Sequence, residues 1–179
     1  MILLGIDPGF ANVGVGVVDA GKKAISVLHT DVLRTSKSAK NVKIYVADDN
    51  VRRLREMISS IGAILDEYDV VAICAEAMSF PRNASAAAKM ALFWGGLVAI
   101  CHERDLPLYS ATPQQIKIAI CGNKAASKED IAVGTQKKIS HPVLLGMAKT
   151  KQEHAWDAIA SAVTCLGSDE LNLARKLSR

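Results

Sequence analysis

A change in apolar period at residue 48 constrains the fold of this chain more than any other feature. Beyond it Val51, Leu54, Ile58, Ile61, Leu65 and Tyr68 recur at three- and four-residue intervals, the stripe of a helix that buries one face. Around that stripe the apolar residues come in short runs of strand length: residues 1–6, ended by Asp7-Pro8-Gly9, then 13–18, where Val alternates with Gly, and 70–75. A weaker run covers residues 24–33, and the polar residues 36–41 read as a loop. Asn83 is placed to cap an alanine-rich helix reaching about residue 104, and residues 107–110 form a short strand. Thr112-Pro113 opens a helix with a cap followed by proline, Ser127 opens another, and the last clear helix spans about 153–166. Strands come first, and then strand and helix alternate. The expected class is α/β, a mixed central sheet flanked by helices. No repeat, low-complexity tract or linker divides the sequence, so residues 1–179 are expected to form one domain, with a flexible tail from about 168 to 179.

A chain of 179 residues, 50% of them hydrophobic and 22% charged, can bury a proper core and is unlike a disordered one. The apolar stretch ALFWGGLVAIC, residues 91–101, has 11 residues. A membrane span needs roughly 20, so this stretch is expected as a buried helix segment, with no membrane partner. The opening MILLGID shows no basic region before a cleavage site, so no secretion signal is expected. Cys74, Cys101, Cys121 and Cys165 are far apart and form no C-x-x-C pair, which suits reduced thiols in the cytoplasm. Positive charge is concentrated. Residues 112–152 carry seven lysines against Glu129 and Asp130, a net of +5 where the whole chain has +4. Such a region is either a phosphate-contacting surface or a solvated lysine-rich face.

Three acidic positions stand out by their context. Asp7 follows one apolar strand, Glu76 follows another, and Asp157 lies inside the apolar helix HAWDAIASAV. Carboxylates at the ends of neighbouring buried strands project into one crevice. Brought close together they repel, and cations make the arrangement stable at neutral pH. Oxygen ligands with few cysteines or histidines favour Mg²⁺ or Mn²⁺ over zinc. Taken singly, Asp-Pro-Gly is also a common turn, and Glu76 is also what a surface residue after a strand looks like. Asp157 is harder to dismiss, because aspartate is a poor interior helix residue and Ala158, Ile159 and Ala160 follow it. His154 precedes it by three residues and Glu153 by four, so both share its helical face and spacing leaves either as its partner.

Four blocks resemble those of the RuvC family of Holliday-junction resolvases, in the family's order and across about residues 3–165. LLGIDPGFANVGVGVVD is similar to its opening signature, AICAEAMSFPRNASAAAKMA to its catalytic-glutamate segment, IKIAICGNKAASKEDI to its lysine-bearing region, and HAWDAIASAV to its closing helix. The resemblance implies a ribonuclease H-like fold and a structure-specific DNA endonuclease. Such an enzyme resolves four-way junctions by Mg²⁺-dependent hydrolysis, leaving 5′-phosphate and 3′-hydroxyl ends. It implies that Asp7, Glu76, His154 and Asp157 are catalytic and hold two Mg²⁺ ions roughly 4 Å apart, with Mn²⁺ able to substitute. It implies that Lys117 and Lys128 approach the scissile phosphate, and that Phe80, Arg82, Asn83 and Lys124 face DNA beside them. The family places a base-stacking aromatic three residues after its catalytic glutamate; here Ser79 stands there and Phe80 follows, either as its substitute or as a buried hydrophobe. A homodimer is expected, since two strands are nicked symmetrically. Its interface would be the helix over residues 84–101, which is otherwise an intramolecular core helix. The alternative enzyme is another ribonuclease H-like nuclease acting on RNA, RNA–DNA hybrid or other branched DNA. A sugar or acetate kinase fragment lacks support, because no second phosphate-binding loop occurs, and a non-catalytic junction binder would carry a broken acidic set. A branch-migration motor as a further partner is left open.

Overall fold

The N-terminal runs fold back on one another to make half of a sheet. In the computed structural model, which describes residues 1–21, 24–78, 83–140 and 149–177 (side chains of 149–151 and 175 excepted), β1 (Ile2–Asp7), β2 (Asn12–Ala20) and β3 (Ile25–Arg34) form an antiparallel meander. Helix α1 (Val46–Glu67) carries the chain to β4 (Val70–Glu76), parallel to β1, and α2 (Ala84–Glu103) to β5 (Leu108–Ala111), parallel to β4. The strand order is β3-β2-β1-β4-β5. Helices α3 (Pro113–Cys121), α4 (Lys128–Lys138), α5 (Lys149–Cys165) and α6 (Asp169–Leu177) follow. The expected mixed sheet with flanking helices is present.

Caps set the helix starts. The Asn83 side chain accepts from the Ala86 amide at 3.1 Å. Thr112 with Gln115 and Ser127 with Asp130 form capping boxes on α3 and α4. Gly122 ends α3 at φ 68°, a left-handed position that glycine occupies without strain.

The sheet divides the core in two. Leu4, Ile6, Val13, Val15, Val17 and Ile73 pack with Met57, Ile61 and Ile64 of α1 and Phe93, Leu97 and Ile100 of α2. Leu3, Val18, Ala72 and Cys74 face Ala155, Ile159 and Ala162 of α5 instead, as the period of two along a strand requires. The Val–Gly alternation of residues 13–18 thereby acquires a cause. Its valines face α1 and α2, and its glycines admit α5. A Cβ at Gly5 would lie 2.0 Å from the Ala158 carbonyl oxygen, one at Gly14 2.1 Å from that of His154, and one at Gly16 2.8 Å from Ile159 Cγ1. Helix backbone therefore rests directly on sheet backbone.

Three expectations are corrected. The buried side of α1 is Asp49, Arg53, Met57, Ile61, Gly62 and Ile64; Val51 is exposed, and Leu54, Ile58, Leu65 and Tyr68 are half-buried at the margin. The apolar period marked the helix, but an arginine and an aspartate occupy two of its inward positions. Residues 91–101 are buried on one side only: Phe93, Leu97, Ile100 and Cys101 are covered, while Ala91, Gly95, Val98 and Ala99 are exposed. By length and composition alone α2, at 20 residues, is long and apolar enough to cross a membrane. Lys89 interrupts the apolar run, and Met90 and the alanines before that lysine lengthen the helix beyond residues 91–101. Finally, beyond residue 168 the chain forms α6, with Leu171 buried in the core.

Because the Gly14 and Gly5 contacts are backbone to backbone, no rotamer can relieve an added methyl. Gly14→Ala should cost about 2–3 kcal/mol or more and lower Tm by roughly 4–12 °C, as read by urea denaturation and calorimetry.

Candidate active site

Strand alternation and the seat of α5 together build the site. On β1, Leu3 and Gly5 face α5, so Asp7 at the strand end does too; on β4, Ala72 and Cys74 face α5, and Glu76 follows in the same phase. These strands are neighbours and parallel, with Ile6 opposite Ala75. Asp7 pairs across to Gly14, and that glycine is where the His154 carbonyl of α5 comes to rest. The helix so placed brings His154 Nδ1 to 2.6 Å from Asp7 Oδ2. Asp157, one turn further along, meets Lys128 from the start of α4, with Nζ 3.5 Å from its Oδ2; the same ammonium lies 4.0 Å from Glu153 Oε2.

The electrostatics register this crowding. Burial pushes the Glu76 carboxyl up to about 7, and the charges of Asp7 and Asp157 add to the shift while Lys128 opposes it. Asp157 is raised by burial and then by Asp7, against the favourable influence of Lys128 and His154. The hydrogen bond to Asp7 raises His154, outweighing burial. For Lys128 burial acts downward, but Asp157, Asp7 and Glu153 together raise it. Carboxylates from β1, β4 and α5 thus share one field.

No three acidic, histidine or cysteine side chains among the described residues converge into a ready-made metal cage. Lys128 and the Asp7–His154 contact hold the cluster together instead. The donor set nonetheless fits a hard divalent cation. Three carboxylates, one held half-protonated near neutrality, need added positive charge to ionise together.

The other expected site residues fall differently. Lys117 is half-buried on α3 and forms no salt bridge among the described residues; the lysine whose charge reaches Glu76, His154 and Asp157 is Lys128. Lys124 is exposed between α3 and α4, and Asn83 is exposed with its side chain committed to capping α2. Phe80 and Arg82 lie outside the described residues. Glu153, which spacing left open as a partner of Asp157, is the second anion on Lys128. One contributor was missed, Arg53. Arg53 is 4% exposed, lies over the Phe10 ring at 4.7 Å and donates to the Phe10 carbonyl at 2.7 Å and to Thr35 Oγ1 at 3.0 Å. It thereby fixes the turn that follows Asp7. A cation at an inward position of the α1 stripe was its signal.

A mixed sheet of this order, with carboxylates ending β1 and β4 and a helix laid across them bearing more, defines a ribonuclease H-like nuclease. Residues 3–165 match the family model described as crossover junction endodeoxyribonuclease RuvC, and the chain belongs to that family. It is 29% identical over 161 residues to the crossover junction endodeoxyribonuclease RuvC of Natranaerobius thermophilus, covering 89% of this chain and 91% of that one. Identity to the Trichlorobacter lovleyi protein of the same name is 30% over 173 residues, covering 97% and 89%. The structure superposes on Thermus thermophilus RuvC, solved in complex with Holliday junction substrate, with a TM-score of 0.77 at 26% identity, covering 98% of this chain and 96% of that one.

Glu76 offers a direct test. With its folded pKa near 7 and an ordinary value of 4.5, the folded state binds the extra proton between those limits. Its contribution to stability is therefore full below about 4.5 and is lost as pH rises through 7. Denaturation of the cation-free protein from pH 5 to 8 should show that decline, and Glu76→Gln should flatten it. Added Mg²⁺ should raise Tm more at pH 8 than at pH 6.

Proposed function

We propose that this chain resolves four-way DNA junctions by metal-dependent phosphodiester hydrolysis at Asp7, Glu76, His154 and Asp157, acting as a symmetric homodimer in the cytoplasm. The observation that carries it is the meeting of β1, β4 and α5 in one acidic field, with His154 on Asp7 and Glu76 raised to about 7, in a chain of the RuvC family. The four side chains would hold two Mg²⁺ ions, or Mn²⁺ in their place. Divalent cations held there would supply Lewis-acid activation of water and charge neutralisation at the phosphate.

Each residue has its own task. Asp7 orients the His154 ring through Nδ1, leaving the other ring nitrogen free to act as a ligand. Lys128 holds an ammonium at the edge of the carboxylates, where it offsets charge building on the phosphoryl oxygens; Lys117 is assigned the same task from α3. The basic stretch of residues 112–152, including Lys124, meets the phosphate backbone. Phe80, Arg82 and Asn83 follow Glu76 in the sequence and are assigned to DNA binding. Products carry 5′-phosphate and 3′-hydroxyl ends.

The outer face of α2 supports the dimer. Ala91, Gly95, Val98 and Ala99 are exposed along it, and a Cβ added at Gly95 meets nothing within 4 Å. Two copies of such a face can approach closely, and a two-fold axis then presents one site to each of two opposed strands. All four cysteines are free.

End-labelled four-way junction, linear duplex and RNA–DNA hybrid, incubated with and without Mg²⁺, test the activity. The wild-type protein should nick the junction symmetrically and only with the cation, and Asp7→Asn should lose a hundredfold to a thousandfold of the rate while still binding the junction. Equal cutting by Asp7→Asn would overturn the site, and faster cutting of the hybrid would overturn the substrate. Gly95→Arg should sediment as a monomer and lose symmetric nicking; a dimer of unchanged stability would place the interface elsewhere.

A further inference from the structure

The segment between β3 and α1 differs chemically from the rest of the surface. Lys37, Lys40 and Lys43 recur every third residue, Arg34 precedes them, and no acidic residue occurs from 34 to 47. All four are exposed, and none forms a salt bridge among the described residues. Apolar side chains stand among the lysines in the open: Tyr45 is 82% exposed, Val46 74% and Val42 51%. Lysines interleaved with an exposed aromatic are what a polyanion with ring-bearing units recognises.

Position in the fold narrows the partner. Strand β3 ends at Arg34 opposite Asn12, where β2 begins. Asp7 and Glu76 end their strands at that same end of the sheet. The segment therefore leaves the sheet on the catalytic side, two strands from β1, a lateral step of about 10 Å at the usual strand spacing. A duplex arm leaving the site across this edge of the sheet would meet the segment.

The base of the segment is built to hold it still. Asp49 accepts from the Ser38 hydroxyl at 2.6 Å and from its amide at 3.3 Å. Arg52 donates to Asp49 and, at 2.7 Å, to the Ser36 carbonyl, and Arg53 holds Thr35. The Ser38 hydroxyl and then Arg52 lower the Asp49 carboxyl to about 2, so it is ionised and accepts from both throughout the neutral range. A surface ordered in advance loses less entropy on binding.

We propose that residues 37–45 are a second DNA contact, in which Lys37, Lys40 and Lys43 grip the phosphates of a duplex arm and Tyr45 packs on the sugar–base surface beside them. This rests on the junction-cleaving function proposed above and adds to it a site outside the basic stretch of residues 112–152. Uninterrupted positive charge at the catalytic end favours DNA over a protein partner, for which an apolar patch without lysines would suffice.

The test uses the full chain with Lys37→Ala/Lys40→Ala/Lys43→Ala and, separately, Tyr45→Ala. Binding is measured in EDTA over about 50–200 mM salt, on a long-armed junction and on one with arms trimmed close to the branch point. The triple variant should bind the long-armed junction at least tenfold more weakly, and its log–log salt slope should fall by about 2–3, near 0.9 for each lost phosphate contact. Trimmed arms should reduce the difference. Tyr45→Ala should weaken binding about fivefold or more with the slope unchanged. Wild-type affinity and slope in the triple variant would overturn the proposal and leave the surface to a protein partner. A wild-type protein that neither binds nor cuts the junction would defeat the broader function instead, so the two failures are distinct.

Discussion

Helix α5 lies on β1 and β2 with no side chain between the two backbones at Gly5 and Gly14, and the rest of the molecule depends on that approach. An ordinary helix-on-sheet packing distance, near 10 Å, is set by interdigitating side chains; here glycine on one surface and alanine on the other bring the helix closer. Three consequences follow from one contact. His154 reaches Asp7, Asp157 reaches the space before Glu76 and Lys128, and Ala155, Ile159 and Ala162 close the core on that face. Distant parts of the chain, residues 7 and 154 among them, become neighbours because the glycines give the helix room to approach, and the His154–Asp7 contact then forms.

Electrostatics works against this geometry, and the protein balances it locally. The charges of Asp7 and Asp157 add to burial in raising the proton affinity of Glu76, and that of Asp7 does the same for Asp157, a cost that a fold selected for stability alone would avoid. Lys128 and His154 supply the positive charge that keeps the cluster folded. Lys128 is exposed and His154 partly so, so each can yield to a cation or a substrate phosphate without unpacking the core. Strain of this kind belongs at sites that bind charge.

A second polar system stabilises the same end of the sheet from the opposite face. Arg53 is buried without a carboxylate partner; two backbone carbonyls, a hydroxyl and the face of Phe10 satisfy it. Arg52, its neighbour in sequence, and Asp49, one turn earlier on the helix, anchor the chain after β3. The turn after Asp7 and the basic projection at residues 37–45 therefore share one support, the first two turns of α1.

Periodicity and caps alone determined much of this protein. The strand runs, the helix of residues 51–68, the starts at Asn83, Thr112 and Ser127, and the α/β class all follow from local patterns, because each depends on neighbours within a few residues. The acidic set was also legible, since carboxylates at strand ends and inside an apolar helix break local rules and so mark themselves. Other features were decided only by the tertiary structure. Which side of α1 is buried depended on a sheet that placed Arg53 inward; the second anion on Lys128 depended on α4 meeting α5; one-sided burial of α2 depended on what covers it. A sequence records which residues tolerate burial or charge. Which of them meet is set by long-range packing, and here by a few glycines that let a helix reach the sheet.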